Sequence, residues 1–573
     1  MKNKKRIRHL LNQIYYPIIA DQIVERLSSV LEKYRGHLPN HPSSGLNEQE
    51  IILIVYPDQV LETNRVSLQS LGEFCEHFLQ GIVSGIHLLP FFPSSSDDGF
   101  SVVDYKEVDS QYGSWNDVKS LSTNFRLMFD AVINHASVQS PWFKRFLSND
   151  KDLYDYFIEV VGSPDLSSVV RPRALPLLTT FKTSSGTKEI WTTFSADQAD
   201  LNYHNPAVLL DVLDILLDYV KKGADFIRLD AVAYLWKEIG TNCINLRQTH
   251  WIVQLIRAVL DEEVPTVMLV TETNIPHDEN ISYFGDGTNE AQLVYNFPLP
   301  PLVLHTFYTE DAQVLSRWAS DLKSPSEQTT YFNFLASHDG IGLNPVRGIL
   351  TDAEIEDLVL RTKVRGGLVS FKTDSSGVQS PYELNINYLD ALSNPDEPVD
   401  IMVKRFITAH AILLSIAGVP GIYFHSLFGS RGWLEGVTQT GHNRSINREK
   451  LNRSVLQAEL ENTQSLRAQV FFHLKRLISM RTQNPAFKPQ SEQHVLKVNT
   501  EVFGILRIDK YSEKSVFCFH NVGAKTILIN MDLSLLPYKY PMNLLDLISS
   551  EQFEVEKSLT FTLAPYQSAW LAN

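Results

Sequence analysis

The sequence predicts an α/β fold: a (β/α)8 TIM barrel with inserted domains and a C-terminal antiparallel β domain. Three observations predict it. Eight short apolar runs alternate with helical periodicity, two intervals are too long to be plain connections, and strand-like alternation takes over near the C-terminus.

The runs fall at 51–56, 85–91, 127–134, 225–229, 266–271, 293–297, 331–336 and 421–424. Each is nearly continuous in hydrophobicity, as parallel strands buried on both faces are. Between them, segments such as 208–222 and 249–261 carry apolar residues at spacings of three and four, the pattern of crossover helices. The interval between the third and fourth runs holds Pro164, Pro172, Pro176 and a Ser/Thr/Gly stretch at 183–187, which predicts a small inserted domain rather than one loop. Between the seventh and eighth runs, 340–398 contains a helical piece at 353–363 and a polar segment at 373–379. Both insertions leave from strand C-terminal ends, where barrel sites are built. After about residue 486, alternation at 502–508, 515–520 and 526–531 predicts antiparallel strands.

The expected division is therefore a helical extension (1–50), barrel (51–140), inserted domain (141–205), barrel (206–340), second insertion (341–398), barrel (399–486) and β domain (487–573).

Over 573 residues, 43% hydrophobic and 20% charged content are ordinary globular values. A net charge of −15 argues against nucleic acid or an anionic membrane as partner, since both require a basic face. The basic residues at 2–8 read as a solvated helix start. No apolar signal core follows them and no run reaches 18 apolar residues, so a cytoplasmic protein is expected. Cys75, Cys243 and Cys518 lie far apart without CxxC spacing and read as buried thiols.

Polar residues gather where the apolar runs end. His135 follows the third, Arg228 and Asp230 the fourth, Glu272 the fifth, and His338 and Asp339 the seventh. Such positions face the top of a barrel and should converge on one pocket. Cleaving an acetal requires one carboxyl held protonated for the leaving oxygen and an anion opposite for the oxocarbenium-like centre. Arg228, on the same strand face as Asp230, would keep that carboxylate ionised, and neighbouring carboxylates would push Glu272 up. Asp339 remains to hold sugar hydroxyls.

With 130–135, 225–231, Glu272 and 337–339 in these positions, the chain resembles the α-amylase superfamily (glycoside hydrolase family 13), and within it the sucrose phosphorylase group. The resemblance implies Asp230 as nucleophile, Glu272 as general acid/base and Asp339 as transition-state stabiliser. The stretches 88–93, 97–100 and 112–115 are similar to that group's second-strand loop, which implies that Asp97 binds glucose hydroxyls and Phe100 offers an apolar platform. Phe194 and Gln198 match its inserted-domain wall. Arg444, in 441–448, matches an arginine that pairs with the Asp97 position, and Arg173 a position that handles phosphate. Arg347 is a second phosphate candidate. Asn134 matches a calcium-ligand position of the superfamily, but the phosphorylase group works without calcium, so no cofactor is expected and inorganic phosphate is a co-substrate.

The chain departs from sucrose-using relatives on the leaving-group side. Where their acceptor loop reads Asp-Leu-Tyr-Gln, this chain reads Ser380, Pro381, Tyr382 and Glu383, and Asn274 stands where they place His. A carboxylate at Glu383 facing the acceptor would accept hydrogen bonds from a neutral diol and repel an anionic acceptor by about 1 to 4 kcal/mol. The expected reaction is thus retaining phosphorolysis of 2-O-α-glucosylglycerol to α-glucose 1-phosphate and glycerol by a glycosyltransferase-type enzyme. Sucrose or glucosylglycerate phosphorolysis, hydrolysis or transglycosylation on the same barrel, and a non-catalytic amylase-like binding protein are the alternatives.

Overall fold

The computed structural model describes residues 3–39, 45–172, 175–183, 186–373, 378–394, 396–534 and 542–573. Eight parallel strands close into a barrel: β1 (Ile52–Val55), β2 (Gly85–Leu88), β3 (Arg126–Ala131), β4 (Ala224–Leu229), β5 (Met268–Thr271), β6 (Leu293–Tyr295), β7 (Thr330–Asn333) and β8 (Val419–Tyr423). β8 pairs with β1, and nearly every strand residue is buried, so the barrel interior is a packed core. Between β3 and β4 the register sets Asp130 beside Arg228, and between β4 and β5 it sets Thr271 beside Leu229. The polar residues at the strand ends are therefore brought to one level by the ladder itself.

Six of the eight strands are shorter than the apolar runs, while β4 and β8 are each one residue longer. β3 stops at Ala131, and His135–Ser137 instead pairs antiparallel with Gln198–Asp200, placing His135 opposite Asp200. This pairing ties the inserted segment, whose hairpin is Leu178–Thr183 and Gly186–Trp191, to the barrel rim. The second insertion forms a three-stranded sheet in which Gln379–Asn385 lies between Ile341–Gly342 and Leu368–Thr373.

Around the barrel, helices bury their apolar stripes. Pro206–Lys221 starts with Pro206 in its first turn and an Asn205 side chain that accepts from the Ala207 amide, satisfying an otherwise orphan donor. The N-terminal helices α1 (Lys4–Ile14) and α2 (Pro17–Tyr34) pack on barrel helices. α1 buries Ile7, Leu10, Leu11 and Ile14 against Arg247–Glu263, and Tyr34 of α2 donates to the Asp214 carbonyl at 2.9 Å. Arg6 pairs with Asp261 at 2.8 Å, so the basic opening is anchored to the barrel layer rather than only solvated.

A six-stranded antiparallel sheet containing Val502–Ile508, Ser515–Asn521 and Ser568–Ala572 follows, with a core that includes Phe517, Phe519, Leu544 and Leu571. Arg507 fastens it to the barrel, its Nη1 donating to the Ser415 carbonyl at 2.8 Å, and Arg481, on the last barrel helix, donates from Nε to the Leu414 carbonyl at 3.1 Å and from Nη2 to that of Phe487 at 3.1 Å. Burial pushes these guanidinium groups down to about 10 and about 9. Among the described residues no helix is long and apolar enough to cross a membrane, and all three cysteines are buried and unpaired.

Candidate active site

One cavity opens at the C-terminal end of the barrel strands, with about 710 Å³ of atom-free space including its open mouth. Its wall contains Asp97, Phe100, His135, Phe194, Gln198, Asp230, Glu272, His338, Asp339, Tyr382 and Arg444, all singled out in the sequence. Asp230 and Glu272 follow the last residues of β4 and β5, and Asp339 lies six residues beyond β7. At this end backbone donors run out and side chains take over.

Arg228 does not line the cavity; it is buried beneath it and organises the carboxylates. Its Nη1 contacts Asp130 and stands 3.0 Å from Asp230 Oδ1, while Nη2 is 3.8 Å from Glu272 Oε2. Asp130 is held on its other oxygen by His87 Nε2 at 3.0 Å. Glu272 Oε2 also accepts from the Ala231 amide at 3.1 Å. Burial raises both the Asp230 and Glu272 carboxyls above the usual carboxylate range; Arg228 opposes the rise and nearby carboxylates add to it. Burial would raise Asp339 too, but Arg444, His338 and Arg448 hold it well below that range.

The remaining wall combines aromatic rings with polar side chains. Phe100 stacks on His338 with centroids 5.0 Å apart, and burial drives His338 down to about 3, so the ring is neutral. His135 packs on Phe194, and Gln198 Nε2 bridges Asp97 Oδ2 at 3.3 Å and the Phe100 carbonyl at 3.0 Å. Asp97, Asp98 and Ala231 have φ of 55°, 49° and 49°. Left-handed backbone at three non-glycine residues beside one cavity is strain concentrated where side-chain aim matters.

Four expectations need correction or qualification. Arg444 makes its ion pairs with Asp339 Oδ1 at 2.5 Å and Glu383 Oε2 at 2.6 Å, and Asp97 acts on it only through its field. Arg448, one turn further along the chain, takes Asp98. Glu383 does not face an acceptor: it is 2% exposed, is held by Arg444, and accepts from the Gly340 amide at 3.2 Å, because the hairpin turns it inward beneath the wall. Arg347 is not part of the wall; its Nη2 donates to the Pro381 carbonyl at 3.1 Å. Arg173 lies outside the described residues.

Sequence reasoning missed Tyr234, on the turn after Asp230, which lines the cavity and meets Phe194 edge-on at 5.4 Å. It had noted Asn274 only as a departure, yet Asn274 also lines the cavity and donates to Tyr382 Oη at 3.4 Å. Asn134, the possible calcium position, instead accepts from Lys237 Nζ at 2.6 Å, and that ammonium pairs with Asp200 at 2.5 Å. A buried ammonium thus sits among the oxygens that a cation would need.

The family model "Alpha amylase, catalytic domain" matches residues 75–341. A glucosylglycerate phosphorylase from Spirochaeta thermophila is 48% identical over 91% of this chain and 90% of that one. The chain belongs to the α-amylase family, in its sucrose phosphorylase group. It is a glycosyltransferase-type phosphorylase. A glucosylglycerol phosphorylase from Marinobacter adhaerens is 28% identical over 77% of this chain and 89% of that one. Among solved structures, sucrose 6F-phosphate phosphorylase from Thermoanaerobacter thermosaccharolyticum shares the fold, with a TM-score of 0.73 at 24% identity over 84% of this chain and 96% of that one. The relative named for glucosylglycerate is far more similar than the one named for glucosylglycerol, which favours the expected alternative over the first choice of substrate.

Proposed function

We propose that this phosphorylase cleaves glucosylglycerate with phosphate, with retention, releasing α-glucose 1-phosphate and glycerate. The observation that carries the choice of acceptor is the Arg444–Glu383 pair. Once its carboxylate is matched by a guanidinium, Glu383 presents no unpaired charge to repel an anionic leaving group, and the argument for neutral glycerol lapses. The 48% identity to a protein named for glucosylglycerate phosphorolysis supports the same reading.

Burial raises both the Asp230 and Glu272 carboxyls, so the pair favours keeping a proton between them. Arg228 stands nearer Asp230 than Glu272, which favours the anion on Asp230 and the proton on Glu272. In the first step an Asp230 oxygen bonds to the glucosyl anomeric carbon as the bond to the glycerate oxygen breaks, and Glu272 gives its proton to that oxygen. In the second, a phosphate oxygen attacks the same carbon, Asp230 departs, and Glu272 recovers a proton from the phosphate. Asp339, kept anionic by Arg444 and Arg448, accepts from ring hydroxyls and opposes the positive charge that develops.

The test is to incubate the enzyme with glucosylglycerate, glucosylglycerol or sucrose, with and without phosphate, and follow α-glucose 1-phosphate. Fastest release from glucosylglycerate is expected; a clear preference for glucosylglycerol would restore the neutral acceptor.

A further inference from the structure

The loop after β2 carries two of the wall residues, Asp97 and Phe100, on a bend that a free chain resists. Asp97, Asp98 and Gly99 are left-handed in succession, with φ of 55°, 49° and 106°, and a Cβ at Gly99 would stand 2.8 Å from the Pro90 carbonyl oxygen. Aspartate tolerates this conformation singly, but three such residues in a row persist only where the surroundings fix them. The ends of the bend are joined, the Ser95 amide donating to the Ser101 carbonyl at 3.0 Å.

From outside the loop, one carboxylate of the inserted segment holds it. Asp197 Oδ2 accepts from Ser95 Oγ, from Ser96 Oγ at 2.6 Å and from Ser101 Oγ at 2.7 Å. Ser95 Oγ also meets Ser137 Oγ at 2.5 Å, and the Asp197 carbonyl accepts from the Val138 amide at 3.0 Å. Three segments therefore join at this carboxylate, and each brings wall residues: Asp97 and Phe100 from the loop, His135 from the strand that holds Ser137, and Phe194 and Gln198 from either side of Asp197. Asp197 itself does not line the cavity. Hydrogen bonds to an ionised acceptor are about twice as strong as neutral ones, so a side chain without the carboxylate would give up most of this tie.

We propose that Asp197, gripping Ser95, Ser96 and Ser101, is a positioning residue that fixes the aim of Asp97 and Phe100 and thereby sets the affinity for the glucosyl unit. The inference deepens the proposed phosphorolysis and rests on the glucosyl unit standing against Asp97 and Phe100.

The experiment measures glucose binding by calorimetry, and synthesis from α-glucose 1-phosphate and glycerate, on wild type, Asp197→Ala, Asp197→Asn, Ser96→Ala and Asp97→Ala, with thermal melts to check folding. Asp197→Ala should raise the Kd for glucose and the KM for α-glucose 1-phosphate together, by about 10-fold, with the KM for glycerate changed by less than about 3-fold. Asp197→Asn, which keeps an oxygen for the hydroxyls, should recover part of the loss. Ser96 is exposed, so Ser96→Ala removes one bond from a folded protein and should raise the glucose Kd by about 2- to 3-fold. A purely structural residue would lower the melting temperature and the active fraction while leaving Kd and KM of the folded enzyme unmoved. Unchanged values in folded Asp197→Ala, or in Ser96→Ala where Asp197→Ala does not fold, would overturn the proposal, as would an equal rise in the KM for glycerate. An unchanged glucose Kd in Asp97→Ala would overturn the donor placement and the proposal with it. A wild-type enzyme that binds glucose but makes nothing from α-glucose 1-phosphate would overturn phosphorolysis alone, since the glucose Kd still judges Asp197.

Discussion

Arg444 grips Glu383 with two hydrogen bonds, Nε to Oε1 at 3.0 Å and Nη2 to Oε2 at 2.6 Å, while its Nη1 stands 2.5 Å from Asp339. One guanidinium thus links a carboxylate of the cavity wall to another hidden beneath the acceptor hairpin. Glu383→Gln is expected to leave Arg444 partly unpaired in a buried setting and to cost roughly 2 to 3 kcal/mol of stability. It should also lower kcat/KM about 10-fold or more by loosening Asp339, without creating activity on sucrose. Denaturant unfolding and acceptor-by-acceptor kinetics check both.

The roles proposed for Asp230 and Glu272 separate by leaving group. Asp230→Asn should reduce turnover on the order of 10⁴-fold or more with every donor, since the covalent step is lost. Glu272→Gln should be similarly impaired on glucosylglycerate yet retain rapid glucosyl-enzyme formation from α-glucosyl fluoride, whose leaving group needs no proton. Burst kinetics with the fluoride checks this; slow fluoride release would remove Glu272 from the acid role.

The pH dependence follows from opposite shifts. The Glu272 proton, held by a carboxyl that burial raises, is lost as pH climbs, so the alkaline limb of kcat/KM should lie above the ordinary carboxyl range. Stability behaves differently. Despite burial, Arg228 and His87 lower Asp130 from 3.8 to about 2. A depressed folded-state pKa stabilises the protein above 3.8, and that stability is lost as pH falls towards 2. Unfolding midpoints measured between pH 5 and 2 should decline over this window, and Arg228→Met should abolish that portion of the decline along with most of the stability.

Lys237 supplies the charge between Asn134 and Asp200, and Asp200 also accepts from the Thr193 amide at 2.8 Å. Lys237→Met leaves Asp200 buried without its cation and should cost about 3 to 5 kcal/mol. Since an ammonium already occupies these oxygens, chelator treatment and millimolar calcium should each leave wild-type activity and melting temperature unchanged. A calcium-dependent rise in either would contradict the reading.

The barrel was legible in sequence because each buried strand is a local apolar run and each crossover helix a local periodicity. Asp230, Glu272 and Asp339 were legible because charge close after an apolar strand is conspicuous. Partnership was not. Arg444 and Glu383 are 61 residues apart, and which carboxylate the guanidinium meets depends on how a hairpin packs, as does the burial that removes Glu383 from the acceptor. Tyr234 carries no charge and fits no period, and the left-handed backbone at Ala231 occurs at a residue whose side chain does not ask for it. Propensity and pattern report what a segment prefers; packing decides where its polar ends point.

Phosphate dependence of glucosylglycerate cleavage, followed as α-glucose 1-phosphate and free glucose in the same reaction, separates phosphorolysis from hydrolysis. α-Glucose 1-phosphate should appear in step with glycerate and rise with phosphate, with little glucose. Glucose release at a rate indifferent to phosphate would contradict phosphorolysis.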